Sequence, residues 1–245
     1  MPTLDRSARD IIAQRYTHGF QRNYVRWKLA VDPAYAATSD LLAGRPMPLL
    51  DIGCGMGLLG HYLHACGTLT QYVGLDHDPR KITAGSQAAR HGKLDSLMQL
   101  YQADIADLPP LQGHVVLLDI LHYLPASRQA PLLQSAAKHL APHGQLIIRN
   151  VLREPNWRFH MTRVEEYFLR VSGWMRNGAQ HYPTAGEIRT PLEVAGLTVT
   201  IQPLHGRTPY NSYFIVAKHP NQPQGCTDQA APIHAADGKA QTADA

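Results

Sequence analysis

The stretch Leu49-Leu50-Asp51-Ile52-Gly53-Cys54-Gly55-Met56-Gly57 decides the fold. A short apolar run, Pro48 to Ile52, reads as a strand, a glycine-rich turn follows, and Gly57 to Ala65 reads as helix. Glycines let the backbone approach a ligand closely. A helix N-terminus adds free N–H groups and partial positive charge. Asp76 stands 19 residues after Gly57, at the end of the next apolar run. A carboxylate there can accept both hydroxyl protons of a ribose.

Outward from this core, strands and helices alternate. Gln71–Leu75, Leu97–Tyr101, His114–Leu118 and Gln145–Val151 read as strands. The run His114–Leu118 is continuously apolar from its second residue, as a central strand covered on both faces requires. Asp78-Pro79 opens a helix, with Asp as N-cap and Pro at the first helical position. Ser127–Leu140 and Asn156–Val171 read as further helices, and Thr190-Pro191-Leu192-Glu193 fits a capping box on a short one. Leu197–Pro203 and Ser212–Lys218 are the last strands. Five βα repeats and two closing strands predict an α/β, doubly wound, seven-stranded, mostly parallel sheet. The last two strands are too close in sequence for a helical crossover, so the final one is expected antiparallel.

Residues 7 to 30 read as one helix, with Ile12, Tyr16, Phe20, Tyr24 and Trp27 along an apolar face and Asp32-Pro33 ending it. A polar connection through Gly44, Pro46 and Pro48 follows. Residues 1–30 carry six basic and two acidic side chains, which accounts for the whole net charge of +4. The body is therefore neutral with one basic arm, unlike a uniformly basic nucleic-acid binder. Of the 245 residues, 44% are hydrophobic and 17% charged, which predicts a packed core. No run reaches the ~18 apolar residues of a membrane span, and the start does not read as a signal peptide. Cys54, Cys66 and Cys226 are too few for a disulfide framework and predict a reducing, cytoplasmic setting. His61-x-x-His64-x-Cys66 lacks a second ligand cluster, so a solvated helix face is expected there and no metal site. Arg149, Arg153, Arg158, Arg163, Arg170 and Arg176 form a loose basic stretch, read as a solvated face or a dock for an acidic carrier or anionic substrate.

Gly55-Met56-Gly57-Leu58-Leu59-Gly60 also matches the dinucleotide fingerprint, which leaves a nicotinamide oxidoreductase open. Three details point elsewhere. Asp51, two residues before the first glycine, repels a pyrophosphate but can receive a sulfonium or ammonium group. Ala103-Asp104-Ile105 follows the third strand, where a carboxylate can accept from an adenine amino group. The closing strand pair differs from that of most dehydrogenase domains.

Asp51-x-Gly53-x-Gly55-x-Gly57, Asp76, Asp104, Asp119 and the Leu140–Gly144 turn resemble the class I S-adenosylmethionine-dependent methyltransferases, over about residues 48–218. The resemblance implies a Rossmann-like methyltransferase fold with S-adenosyl-L-methionine as cofactor. Gly53, Cys54, Gly55 and Gly57 would line its methionine and ribose part, Asp76 the ribose hydroxyls, His77 the flank of the adenine, Asp104 and Ile105 the adenine edge, and Asp119 the methionine end. The chain is accordingly divided into an N-terminal helical lid (1–45) and a cofactor-binding domain (46–219), and the tail (220–245), rich in Pro, Gln, Ala, Asp and Gly, is expected to be disordered by its composition. Amino-methylating members that act on bases or glutamine carry a Pro-Pro-aromatic motif after the fourth strand. Here that place holds Asp119-Ile120-Leu121-His122-Tyr123-Leu124-Pro125, which speaks against nucleic-acid bases. His122 and Tyr123 would face methyl transfer, His122 as a general base titrating near ~6.5. A structural role for both residues is the alternative.

The N-terminal segment either covers the sheet edge or, as the resemblance implies, forms a lid that brings Tyr16, Tyr24, Arg26 and Lys28 to the pocket. Tyr24–Pro33 and Gly206–Asn211 are similar to methyltransferases encoded with aryl-polyene or fatty-acyl pigment pathways, which adds Asn211 to the substrate set. The expected activity is methyl transfer to a small molecule, phenolic or borne on an acyl carrier protein. A non-catalytic adaptor with the same fold is the alternative.

Overall fold

The computed structural model describes residues 4–155, 157–159, 161, 178–204 and 211–220. Its strands are β1 Leu49–Ile52, β2 Tyr72–Asp76, β3 Met98–Gln102, β4 His114–Leu118, β5 Leu146–Val151, β6 Thr198–Pro203 and β7 Ser212–Lys218. They form one sheet in the order β3-β2-β1-β4-β5-β7-β6. β7 runs antiparallel to both β5 and β6, as the short final connection requires. The order reverses between β1 and β4, and in open α/β sheets ligands collect at the carboxyl ends of the strands at such a switch point.

The helices are α1 Arg6–Gln14, α2 Gly19–Val31, α3 Pro33–Leu42, α4 Leu58–Ala65, α5 Pro79–His91, α6 Ala126–Lys138 and α7 Ala185–Val194, with a 3-10 turn at Leu121–Tyr123. Side chains alternate across each strand, so each face builds its own core. Leu49, Tyr72, Val116 and Ile147 pack with Ile12, Tyr16, Val25 and Leu29 of the N-terminal segment and with Leu59 and Leu63 of α4. Leu50, Val115, Leu117 and Ile148 pack with Leu132 and Leu133 of α6 and Ile188 and Leu192 of α7. Each such side chain withdrawn from water contributes about 1.5–3 kcal/mol.

Several expectations are corrected. Residues 7 to 30 are two helices, not one. The capping pair His18 and Gln21 starts α2, and the carbonyls of the intervening turn are taken by Arg22 and His91. The proposed apolar face is accordingly split: Ile12 and Tyr16 are buried, whereas Phe20 and Trp27 are 61% and 53% exposed. The polar connection after Asp32 contains α3, because Asp32 caps Ala34 N–H and Pro33 occupies the first turn. No helix follows β3; residues 103–113 run as loop and turn to β4. α7 starts seven residues after Gly178 with Thr184 and Glu187 as its capping box, so Thr190-Pro191 lies inside the helix. The helix expected over 156–171 and the tail after Pro220 lie outside the described residues, except that 157–159 and 161 are helical. Cys226, Arg163, Arg170, Arg176 and residues 206–210 also lie outside them.

Candidate functional site

The carboxyl ends of β1, β2 and β4 bring the marked residues together. Asp51 in β1 lies opposite Gly74 of β2 and accepts a 2.6 Å hydrogen bond from the Tyr72 hydroxyl. Burial pushes the Asp51 carboxyl up to about 7, against the pull of Tyr72. Beyond it, Gly53 and Gly55 are left-handed, with φ of +81° and +58°. At Gly53 a Cβ would sit 2.1 Å from Ile120 Cγ2, so only glycine lets the loop cross the exit of β4. At Gly55 a Cβ would meet nothing within 4 Å, so the loop borders open room there.

Asp76 ties this loop to β2. One carboxylate oxygen accepts from Gly55 N–H and the other from Asp78 N–H, both at 2.9 Å. Lys81 Nζ stands 3.9 Å away and balances its charge. His77 lies 3.4 Å from the same carboxylate and near enough to Asp104 to lower its pKa. The main holder of the Asp104 carboxylate, however, is Arg128, and Ile105 packs into the core on the α6 side. Gly74 leaves room for the Cys54 thiol, which burial pushes well above its usual pKa.

At the end of β4, Asp119 is left-handed at φ +60° without being glycine. Its carboxylate pairs with the Arg149 guanidinium of β5 and lies 4.0 Å from Lys28 Nζ of α2. Arg149 also reaches Asp32 at 3.6 Å, and Lys28 reaches Asp32 at 2.8 Å. Burial works to raise the Asp32 pKa, but Arg149 and Lys28 hold it below the usual carboxylate range. Two acids and two bases thus join the α2–α3 junction to the centre of the sheet.

On the other face of the sheet, His122 is 2% exposed, with Nδ1 2.9 Å from Asn150 Oδ1. Burial pulls its pKa down to about 4, against the bond to Asn150. The ring is therefore neutral at pH 7, and the expected ionisation near neutrality is corrected by the energy of burial. Tyr123 lies 4.1 Å from it and Tyr182 stacks parallel at 5.9 Å, with Phe159 edge-on to Tyr182 at 5.1 Å. Gln129 donates to the carbonyls of Leu121, Leu124 and His181, which holds this aromatic corner together.

Open room over Gly55, a buried acid beneath the loop and a second acid holding it fit a nucleoside that carries a cationic side chain. A model of the methyltransferase domain matches residues 24–202, 179 of the 245. The chain belongs to this family. The ribosomal protein L11 methyltransferase of Xanthomonas axonopodis pv. citri is 32% identical over 151 residues, 57% of this chain and 46% of that protein. The chain spans less than half the length of the curated relatives it matches. Among solved structures, the magnesium protoporphyrin IX methyltransferase of Synechocystis PCC 6803 with bound SAH aligns with a TM-score of 0.61 at 18% identity, over 86% of this chain and 94% of that one. An O-methyltransferase family protein of Burkholderia thailandensis aligns with a TM-score of 0.63 at 18% identity, over 82% and 60%. The fold is the Rossmann-like one of the class I S-adenosylmethionine-dependent methyltransferases. Family membership sets aside the nicotinamide alternative; Gly60, its third glycine, instead gives room to Met98 and Tyr72.

In this methyltransferase domain, Asp51, the glycines, Cys54, Asp76 and His77 cluster around the loop, while Asp119 and Lys28 meet at Arg149. Tyr16 is not at the pocket surface: it is 1% exposed, and its hydroxyl donates to the Met56 carbonyl. Tyr24 packs against the core shared by α1, α2 and α4. Arg26 turns away to Asp10 and Asn23, and buried Asn211 donates to the Leu152 carbonyl as a staple between β5 and β7. His61, expected on a solvated face, is fully buried beside Arg15. Among the described residues no group of His, Cys, Asp and Glu could hold a metal. Sequence reasoning placed Arg149 in a solvated basic stretch. The telling signal was a lone charged residue inside the mainly apolar strand Leu146–Val151.

Proposed function

We propose that the chain transfers the methyl group of S-adenosylmethionine to an oxygen of a planar, phenolic small molecule, free or borne on a carrier. The observation that carries the cofactor half is the Asp76 carboxylate, which holds Gly55 N–H and Asp78 N–H at the switch point of the sheet. Gly53, Gly55 and Asp51 would hold the methionine side, Asp76 and His77 the ribose, and Asp104 and Ile105 the adenine. S-adenosylmethionine supplies a methyl already activated on a sulfonium. The chain's part is to align the acceptor, and orientation of this kind contributes about 7–11 kcal/mol.

The acceptor half rests on the corner of His122, Tyr123, Phe159 and Tyr182, whose faces suit a flat ring. The lid reading of the N-terminal helices is supported by Lys28, which reaches toward Asp119. Free Cys54 and Cys66 suit a reducing compartment such as the cytoplasm.

Calorimetry with S-adenosylhomocysteine tests the cofactor half. Methyl transfer to a panel of phenols, amines, carrier-bound phenols and ribosomal protein L11 tests the acceptor half. Turnover of phenols is expected, and turnover of protein L11 or amines alone would refute the phenolic reading.

A further inference from the structure

The turn between α1 and α2 is stitched to three other elements. Arg15 Nη1 lies 2.9 Å from His61 Nδ1 of α4, and His91 Nδ1 of α5 lies 2.7 Å from the Arg15 carbonyl. Arg22 Nε donates to the Tyr16 carbonyl at 2.8 Å. The buried Tyr16 ring stands edge-on to His61 at 5.7 Å. Its hydroxyl donates to the Met56 carbonyl at 2.9 Å.

Met56 lies between Gly55 and Gly57, in the middle of the cofactor loop. Its carbonyl is confined from the opposite side as well: a Cβ at Gly85 of α5 would come within 2.7 Å of it. This peptide joins Met56 to Gly57, whose N–H donates to the Cys54 carbonyl at 3.0 Å across the loop and which caps the start of α4. The hydroxyl of Tyr16 therefore acts on the loop from beneath, through its backbone.

We propose that Tyr16 is a positioning residue for the glycine loop, its hydroxyl holding the Met56 carbonyl in the orientation that cofactor binding requires. This rests on the methyltransferase reading for the identity of the ligand, though not for the geometry. Tyr16→Phe removes one oxygen, keeps the ring in the core and leaves the Met56 carbonyl without its donor. A buried acceptor left unpaired weakens binding of S-adenosylhomocysteine by about tenfold. The cofactor KM rises with it while kcat stays within about twofold, because the loss falls on binding rather than on the chemical step.

The control is Val25→Ala, which loosens α2 in the same core without removing a hydrogen bond to the loop. The experiment measures thermal stability, S-adenosylhomocysteine affinity by calorimetry and amide hydrogen exchange of residues 55–57 in both variants. Expected are weaker binding and faster loop exchange in Tyr16→Phe. Val25→Ala, at an equal or larger loss of thermal stability, should show neither. Wild-type affinity and exchange in Tyr16→Phe, or the same changes in Val25→Ala, would overturn the proposal. Should the wild type bind no S-adenosylhomocysteine, the methyltransferase reading fails, and loop exchange alone decides the role of Tyr16.

Discussion

Replacing Gly53 by alanine tests the packing of the cofactor loop against the exit of β4. The added methyl would lie 2.1 Å from Ile120 Cγ2 and 3.2 Å from Ile120 Cβ, on a backbone at φ +81°. The left-handed conformation costs an L-residue about 1–2 kcal/mol. Forcing a methyl into a filled space costs about 1–3 kcal/mol more. A total of about 3 kcal/mol corresponds to a fall in Tm of roughly 6–12 °C for a chain of this size. Ile120→Ala removes the clashing atom and leaves the backbone penalty in place. In urea denaturation, the double variant should therefore be more stable than the sum of the two single losses predicts, by about 1–3 kcal/mol. Additive losses, or a Gly53→Ala protein as stable as the wild type, would refute the contact.

Asp76→Ala frees two backbone donors and removes the proposed ribose acceptor, so S-adenosylhomocysteine affinity should fall by about 10²-fold in calorimetry on a protein that circular dichroism shows folded. Asp51 holds its proton up to about pH 7 in the fold, while the unfolded chain releases it near ~4. Stability therefore falls as pH rises through that window, and Asp51→Asn should flatten the change in urea midpoint between pH 5 and pH 8; an unaltered slope would count against it. Arg149→Met strands Asp32 and Asp119 and should cost about 3–5 kcal/mol. Limited proteolysis should then cut first within residues 15–18 or 43–48, and uniform resistance would show that the cluster does not hold the N-terminal helices.

The loop proposed to hold the cofactor was legible as a unit because its signals are local. Alternating glycines after an apolar run and an acid at the end of the next strand are short-range signals, and the structure brings them together at Asp76. The sheet was legible for a similar reason, since apolar runs and turn residues mark each strand. The N-terminal helices were not. Asp78-Pro79 reads as a helix start and Asp32-Pro33 as a stop, yet both pairs cap helices. The same two residues end one helix and begin the next, and only packing tells which. The break after α1 depends in part on a distant side chain, His91, that no short window of sequence joins to Arg15. The pKa of His122 was misjudged because burial is a property of the fold.

The four-charge cluster has a consequence for biosynthesis. Asp32 and Lys28 leave the ribosome more than a hundred residues ahead of Arg149. At roughly 10 residues per second, the two helices that carry them wait on the order of ten seconds for the strand that neutralises them. Their inner residues, Ile12, Val25 and Leu29, face the same wait for Ile147. These helices are thus made well before they are secured, and the nascent chain stays open to chaperones and proteases there until Ile147 and Arg149 arrive.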